Sequence, residues 1–364
     1  METLHVETET KQYSVFIGHE IITDLSPFIN ELRPAVTSVL ILSDKTVSSL
    51  YLDKVVEALQ GLELPVHNFV VPSGDGEKSF SNYYISLTFA LEKGLDRNSL
   101  ILALGGGMIG DLAGFVAGTY MRGIRFIQIP TTLLAHDSAV GGKTGINHPL
   151  GKNMVGVFHQ PEAVFYSIDF LDSLPLTELR SGFAEVIKHA LIQDEEFYHY
   201  LKEEISDLSD IQPGNLSYIL KKGISIKAEV VSQDEKEKGL RAILNFGHTL
   251  GHAIESESGY GTISHGDAVA IGMRFALKLS EELGNTNLHY KEISNWLKQF
   301  NYPGVPSQLD AEQLLGAMKR DKKSTSGQVK MVLLEAIGQP YVKEVSDSIL
   351  LDALQKFLMT DKEQ

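Results

Sequence analysis

The chain has 364 residues, 43% of them apolar, no cysteine and a formal net charge of −15. That length exceeds an ordinary single domain, and the apolar content is enough for two cores. The acidic balance argues against non-specific nucleic-acid binding, which rests on Lys and Arg neutralising phosphates. Missing cysteines leave no disulfide scaffold, and the opening METLHVETETK lacks the charged-then-apolar pattern of a leader or anchor. The expectation is a globular protein of the reducing cytoplasm, in which any anionic substrate is met by a local cluster of basic residues.

In chain order, LHVETE and YSVFIG read as an opening pair of strands. Short β-rich runs follow at SVLILSD (38–44), VHNFVVPSG (66–74), SLILALGGG (99–107), RFIQIP (125–130) and AVFYSI (163–168), separated by helical or turn-rich segments. That alternation predicts a mostly parallel, Rossmann-like sheet with crossover helices. After SLPLTEL the pattern changes. LRSGFAEVIKHALI, LSYILKKGISIKAEVV, GDAVAIGMRFALKLSEEL and ISNWLKQF carry apolar residues at three-to-four spacing and predict helices. The expected fold is an α/β N-terminal domain over residues 1–175 and a mainly α-helical domain over 176–364, with the active site in the cleft between them.

LGGGMIGDLAGF (104–115) follows an apolar strand and opens a helix. Gly105, Gly107 and Gly110 have the GxGxxG spacing, where missing β-carbons let backbone approach a pyrophosphate at a helix N-terminus. No acidic residue follows about 20 positions later, so the fingerprint is incomplete, and a plain tight turn would use the same glycines. Asp44 ends SVLILSD, a place for either a ligand-facing carboxylate or a helix N-cap. In IPTTLLAHDSAVGGKTGINHPLGKNMVG (129–156), Gly142, Lys143 and Thr144 mimic the end of a P-loop. Asp137 stands where that motif needs glycine, which rejects an ATP-hydrolysing P-loop. What remains is a glycine-rich loop with Thr131, Thr132, Lys143, Lys152 and Asn153, able to bind an anion or simply to carry solvated lysines.

NFGHTLGHAIE (245–255) puts His248 and His252 four apart on one face of an expected helix. Thr249 replaces the glutamate of HExxH, so peptide hydrolysis by that route is unsupported. A catalytic divalent site wants about three protein ligands and an open position. His265 is one further candidate. Ser264 and Asp267 resemble a capping box that sets it in the first turn of the next helix, where the dipole disfavours imidazolium. Glu185 is another, a carboxylate amid an apolar helix, with an ion pair to Lys188 as its plainer role.

Taken together, GGGMIGDLAGF, YMRG, PTTLLA, GGKTGINHPLGKN, SGFAEVIKHALI, LRAILNFGHTLGHAIE and SHGDAVAIGM resemble the 3-dehydroquinate synthase family over nearly the whole chain. The resemblance implies a metal site of Glu185, His248 and His265, holding zinc and sometimes cobalt, with NAD on the N-terminal domain. By it, His248 ligates the ion while His252 faces the substrate. Implied NAD contacts are Asp44, the loop of Asp75, Gly76, Glu77, Lys78, Ser79 and Phe80, then Gly107, Met108, Ile109, Gly110 and Asp111. Thr131, Thr132, Lys143, Lys152 and the segment Phe170, Leu171, Asp172 and Ser173 complete them. Around the substrate the resemblance implies Arg122, Asp137, Lys143, Lys152, Asn153, Lys188, Lys227, Arg241, Asn245 and His252, with Lys322 or Lys323 closing over it. Many members read LLAxVDSS where this chain has LLAHDSAV, one residue shorter before Asp137, and Phe80 stands where a basic residue is commoner.

The implied activity is that of a phosphate-eliminating carbon–oxygen lyase of the shikimate pathway. It converts 3-deoxy-D-arabino-heptulosonate 7-phosphate to 3-dehydroquinate and phosphate through transient oxidation by NAD, elimination, re-reduction and aldol ring closure, with Arg122, Lys152 and Asn153 on the phosphate. A homodimer is implied, with no nucleic-acid or membrane partner. Another sugar-phosphate cyclase, a metal-dependent polyol dehydrogenase and a non-catalytic metal-binding protein are the rival readings.

Overall fold

A computed structural model describes residues 1–259, 261–320 and 328–362. The chain divides into two compact units, Met1–Pro175 with Pro213–Lys236, and Leu176–Gln212 with Glu237–Gln364.

The strands of the first unit are β1 (Glu2–Glu7), β2 (Gln12–Gly18), β3 (Val39–Asp44), β4 (Val66–Val71), β5 (Leu100–Gly105), β6 (Arg125–Pro130), β7 (Lys143–His148), β8 (Gly151–Phe158) and β9 (Ala163–Ser167). Seven form one sheet in the order β1-β2-β9-β6-β5-β3-β4. Only β1 and β2 pair antiparallel; every other pairing in this sheet is parallel. β3 and β5 are buried at every position, which is why VLILSD and LILALG read as unbroken apolar runs: both sheet faces are covered. Each strand expected from the sequence is present. From β3 the chain steps to β4 on one side and then to β5, β6 and β9 on the other, so the winding reverses between β3 and β5. In doubly wound sheets the crevice outside the strand carboxyl ends at such a reversal is where ligands bind.

Two features depart from the sequence reading of this region. The stretch GGKTGINHPLGKN, read as a loop, is an antiparallel hairpin of β7 and β8. Thr144 and Ile146 alternate with Gly145 and pack inward, with Ile146 in the core beneath the helix Gly107–Thr119. The other departure is the helix Pro213–Gln233, which belongs to the first unit rather than to one block over 176–364. Its buried Leu216, Ile219, Leu220 and Ile224 need an apolar partner, and Gly223 brings its backbone against the His136 ring, 2.6 Å from where a Cβ would stand. Lys221 pairs with Glu2 at 2.6 Å, and Glu235 accepts from Thr10 N at 3.0 Å and from Gln160 Nε2 at 2.8 Å.

The second unit is mainly helical, built on Leu176–Gln193, Glu195–Glu204, His248–Ser258, His265–Gly284, Tyr290–Gln299, Ala311–Arg320 and Asp347–Lys362. A hairpin of β10 (Val329–Ala336) and β11 (Gln339–Val345), absent from the sequence reading, closes its core with Met331 and Leu333 against Ile271, Phe275, Leu314 and Phe357. Among the described residues no helix is long and apolar enough to cross a membrane.

Glycines set how closely three of these helices cross. A Cβ on Gly266 would lie 2.0 Å from Ser181 O, and one on Gly272 would lie 1.9 Å from Gly247 O. No side chain fits either place, so backbone packs directly on backbone along the helix His265–Gly284. In an exposed helix interior Gly→Ala gains about 1 kcal/mol from helix propensity. Here the sign reverses. Gly272→Ala is expected to destabilise the chain by at least about 1–3 kcal/mol through overpacking. Urea unfolding measures this, and a midpoint at or above wild type would contradict the crossing.

Candidate metal centre and dinucleotide rim

Glu185 lies in the helix Leu176–Gln193 one turn after Ser181, and is 1% exposed. His248 opens its helix directly after Gly247, whose φ of 79° is easy only for glycine. His265 opens the next helix after Ser264, whose hydroxyl accepts from Asp267 N at 3.1 Å, the cap expected from the sequence. The reciprocal half of that box is replaced, because Asp267 takes a two-pronged pair from Arg180 at 2.8 and 2.9 Å. The glycine crossings therefore tie Gly266, beside His265, to Ser181 near Glu185, and Gly272 of the same helix to Gly247 beside His248.

His248 Nε2 stands 3.5 Å and His265 Nε2 3.4 Å from the same oxygen, Glu185 Oε1. Hydrogen bonds of this type are about 2.7–3.2 Å long. Around a tetrahedral ion with bonds of about 2.0–2.2 Å, neighbouring ligand atoms lie about 3.3–3.6 Å apart. The three side chains thus have ligand spacing, and their donor atoms all fall within 4.8 Å of one another. His248 Nδ1 meets Phe246 O at 3.2 Å, and His265 Nδ1 meets Glu255 Oε2 at 3.2 Å. With Nδ1 so occupied, each ring turns Nε2 toward Glu185.

Burial dominates at His248 and pushes its pKa well below the usual imidazole value, against the pull of Glu185, so its lone pair is available. At His265 burial also lowers the pKa, but the Glu255 charge and hydrogen bonds to Glu185 and Glu255 outweigh it and raise the value to about 9. The helix dipole, which disfavours imidazolium, is opposed at this ring by two carboxylates. Lys188 pairs with Glu185 Oε2 at 2.5 Å, the plainer partnership foreseen for it. His252, one turn beyond His248, has its ring 5.3 Å from that of His248 and 6.0 Å from that of His265. With Glu255 and His265 it forms a second, overlapping group of possible ligands.

In the first unit, the parallel strands β9, β6, β5, β3 and β4 end along one rim. Five of the segments assigned to NAD follow those ends: Asp44 after β3, Asp75–Phe80 after β4, Gly107–Asp111 after β5, Thr131 and Thr132 after β6, and Phe170–Ser173 after β9; Lys143 and Lys152 stand instead on the β7–β8 hairpin. The glycine turn follows β5 rather than the first parallel strand, and an acidic residue, Asp44, ends the neighbouring β3. Asp44 is also the N-cap, accepting from Thr46 N at 2.8 Å and Ser73 Oγ at 2.7 Å. The hydroxyls of Thr131 and Thr132 are buried without a hydrogen-bond partner, a costly arrangement that points to a missing ligand. A Cβ on Gly106 would lie 2.9 Å from Thr132 Cγ2, so glycine keeps the rim open.

Lys78, 3% exposed, donates to Asp111 Oδ2 and Asn153 Oδ1, each at 2.6 Å, and Lys152 pairs with Asp75 at 3.1 Å. The loop after β4, the glycine-turn helix and the hairpin are thereby joined. Gly76 and Glu77 lie in that loop, Ser79 caps the helix Phe80–Glu92, and Phe80 is exposed. Met108 and Ile109 lie in the first turn of the helix after β5, and Gly110 packs on Gln128, 2.5 Å from a would-be Cβ. Phe170 stacks on Tyr51 at 4.2 Å, Tyr51 OH bonds Ser173 at 2.5 Å, and Leu171 and Asp172 lie between them in the chain.

Among the substrate-side residues, Lys227 reaches Asp137 Oδ2 at 3.0 Å and also donates to its carbonyl. Arg241 is buried in the turn Leu240–Asn245, and Asn245 donates to Glu237 at 2.9 Å. Lys143 is exposed at the start of β7. Arg122 lies in the first unit, as Lys152 and Asn153 do. It ends the short turn Tyr120–Arg122 that follows the helix Gly107–Thr119. Lys322 and Lys323 lie outside the described residues. The sequence reading missed Glu255 and Glu237; Glu255 had a signal, seven residues after His248 and so on the same helical face.

A family model described as the 3-dehydroquinate synthase N-terminal region matches residues 68–181, and one described as its C-terminal region matches 182–324. A 3-dehydroquinate synthase of Bacillus cytotoxicus is 56% identical over 366 residues, covering 100% of this chain and 99% of its own. Among solved structures, 2-deoxy-scyllo-inosose synthase complexed with carbaglucose-6-phosphate, NAD+ and Co2+ has a TM-score of 0.88 at 26% identity, with 98% of this chain and 99% of that one covered. The 2-epi-5-epi-valiolone synthase of Streptomyces hygroscopicus subsp. jinggangensis, with NAD+ and Zn2+ bound, has a TM-score of 0.86 at 26% identity, covering 96% and 97%. Identity at more than twice the level shown by those other cyclases, sustained from end to end, establishes that the chain belongs to the 3-dehydroquinate synthase family.

Proposed function

We propose that the chain converts 3-deoxy-D-arabino-heptulosonate 7-phosphate to 3-dehydroquinate and phosphate, using NAD catalytically and one divalent ion, zinc or cobalt. The observation that carries the metal half is the pair of Nε2 atoms at 3.5 and 3.4 Å from Glu185 Oε1. For the dinucleotide, the buried unpartnered hydroxyls of Thr131 and Thr132 on the strand-end rim fit a polar ligand.

In this reading Glu185, His248 and His265 hold the ion, which when bound supplies Lewis acidity toward substrate oxygens. NAD supplies the reversible hydride acceptor. Thr131 and Thr132 give hydroxyls to the nucleotide, Gly107–Asp111 bring a helix N-terminus to its phosphates, and Asp44 faces the ribose. Lys188, Arg241, Asn245 and His252 of the second unit, and Asp137, Lys143 and Lys227 of the first, orient the substrate's carboxylate and hydroxyls. Lys152 and Asn153 take the phosphate, whose own oxygen serves as proton acceptor in its elimination. Arg122 is proposed with them on the phosphate. In this reading the basic residues assigned to the substrate let a chain of net charge −15 receive an anion. A homodimer in the cytoplasm is part of the proposal.

With catalytic NAD and Zn2+, phosphate release should far exceed the NAD present while NADH absorbance stays flat. One NADH per turnover would instead identify a dehydrogenase, and turnover of a hexose phosphate in preference to the heptulosonate would identify another cyclase. His248→Ala should abolish metal retention, whereas His252→Ala should keep one ion per chain and lose about 10²–10⁴ in kcat. Equal metal loss in the two variants, read by elemental analysis after gel filtration, would refute the division of labour. Thr131→Val should weaken NAD binding about 5–30-fold by removing one hydroxyl contact, yet leave the NAD-free chain as stable or more so, because a buried orphan hydroxyl is gone. Calorimetric titration and thermal unfolding read the two effects separately, and unchanged NAD affinity would count against the rim.

A further inference from the structure

We infer that Glu255 is a positioning residue for the metal centre, its carboxylate holding the Nδ1–H of His265 so that Nε2 of that ring is presented to the ion. The inference rests on the metal reading above and deepens it.

Glu255 is 4% exposed, a burial that a carboxylate sustains only with strong partners. It lies in the helix His248–Ser258, seven residues and two turns beyond His248, so both project from one face about 10 Å apart along the axis. The same helix therefore supplies a ligand at its first residue and an anchor two turns later. His265 fits between them: Nδ1 is 3.2 Å from Glu255 Oε2, and Nε2 is 3.4 Å from Glu185 Oε1.

His265 needs such an anchor more than His248 does. Its side chain is 25% exposed against 11% for His248, and it stands on the first residue of a helix, where little of its own turn confines the ring. Rotation about χ2 would exchange a ring nitrogen for carbon at the metal-facing position. An acceptor on Nδ1 stops that rotation, selects the tautomer with a free Nε2 lone pair and makes that nitrogen a stronger donor. His248 has only the neutral carbonyl of Phe246 in the corresponding place, at 3.2 Å. The two imidazoles thus differ, one backed by a neutral dipole and the other by a full negative charge.

The competing assignment makes Glu255 itself a ligand, in the overlapping group with His252 and His265. Glu255→Gln keeps an acceptor oxygen and removes the charge; Glu255→Ala removes both. For wild type and each variant, Zn2+ affinity is measured by chelator competition, metal per chain by elemental analysis, the Co2+-loaded visible spectrum by absorption, and folding by circular dichroism. The expected order of weakening is Ala beyond Gln beyond wild type, with Ala raising the Zn2+ Kd about 10–100-fold. One ion per chain is retained at saturation, and the Co2+ ligand-field bands shift. If Glu255→Ala does not fold, the Gln variant carries the test through its own Kd and Co2+ bands. Variants with wild-type Kd and unchanged bands overturn the clamp while leaving the proposed function standing. Folded variants that bind no ion even at saturation overturn it in favour of direct ligation. A wild-type chain that binds neither Zn2+ nor Co2+ fails the proposed function itself, and the clamp falls with it.

Discussion

Backbone-on-backbone packing at Gly266 and Gly272 is the constraint on which the metal centre depends. The side chains of Glu185, His248 and His265 come from three different helices, and the spacing a metal ion needs tolerates only a few tenths of an ångström. The helix His265–Gly284 meets Ser181 O through Gly266 and Gly247 O through Gly272, each approach closer than any Cβ allows. Contacts of that kind have no rotamers to relax. They convert the position of a peptide backbone directly into the position of the ligand beside it. His265 adjoins Gly266, His248 adjoins Gly247, and Glu185 is one turn from Ser181, so the crossings set all three ligands together.

Charge within that centre is arranged with equal economy. Glu185 serves both imidazoles and Lys188; Glu255 adds a second carboxylate behind His265. Two negative and one positive side chain around two imidazoles leave a buried pocket whose field favours a divalent cation. Without Lys188 the carboxylates would carry more uncompensated charge, which burial makes expensive. The first unit solves a different electrostatic problem in a similar way. Lys78 neutralises Asp111 while holding Asn153, and Lys152 answers Asp75, so the rim of strand ends is assembled from internally paired charges. The hydroxyls of Thr131 and Thr132 on that rim are buried with no hydrogen-bond partner.

Much of the fold was legible because its cause is local. Runs such as VLILSD and LILALG announce doubly covered parallel strands, and the three-to-four spacing of SGFAEVIKHALI announces a helix, one that the fold buries on every side. The hairpin of β7 and β8 was not legible, since its glycines read as loop punctuation while their actual service is close strand approach, with a Gly156 Cβ 2.2 Å from Thr144 O. Nor was the return of Pro213–Gln233 to the first unit. Helical periodicity states that a face must be buried and is silent about which partner buries it. The carboxylates facing His265 were hidden for a related reason: the helix dipole is a local property, whereas Glu185 and Glu255 reach the ring from other helices.

By itself the sequence determined the chemistry on offer: two imidazoles four apart on one helix, a carboxylate in an apolar helix, a glycine turn after a strand and a motif order that resembles one family. Those are matters of residue type and short-range spacing, which the chain carries without folding. Tertiary structure alone decided that Glu185, His248 and His265 stand at ligand distances, that Asp44 and the glycine turn flank the winding reversal of one sheet, and that Glu255 backs His265. Each of those depends on how closely separate elements approach, and that distance is set by packing among residues far apart in the chain, which no local pattern encodes.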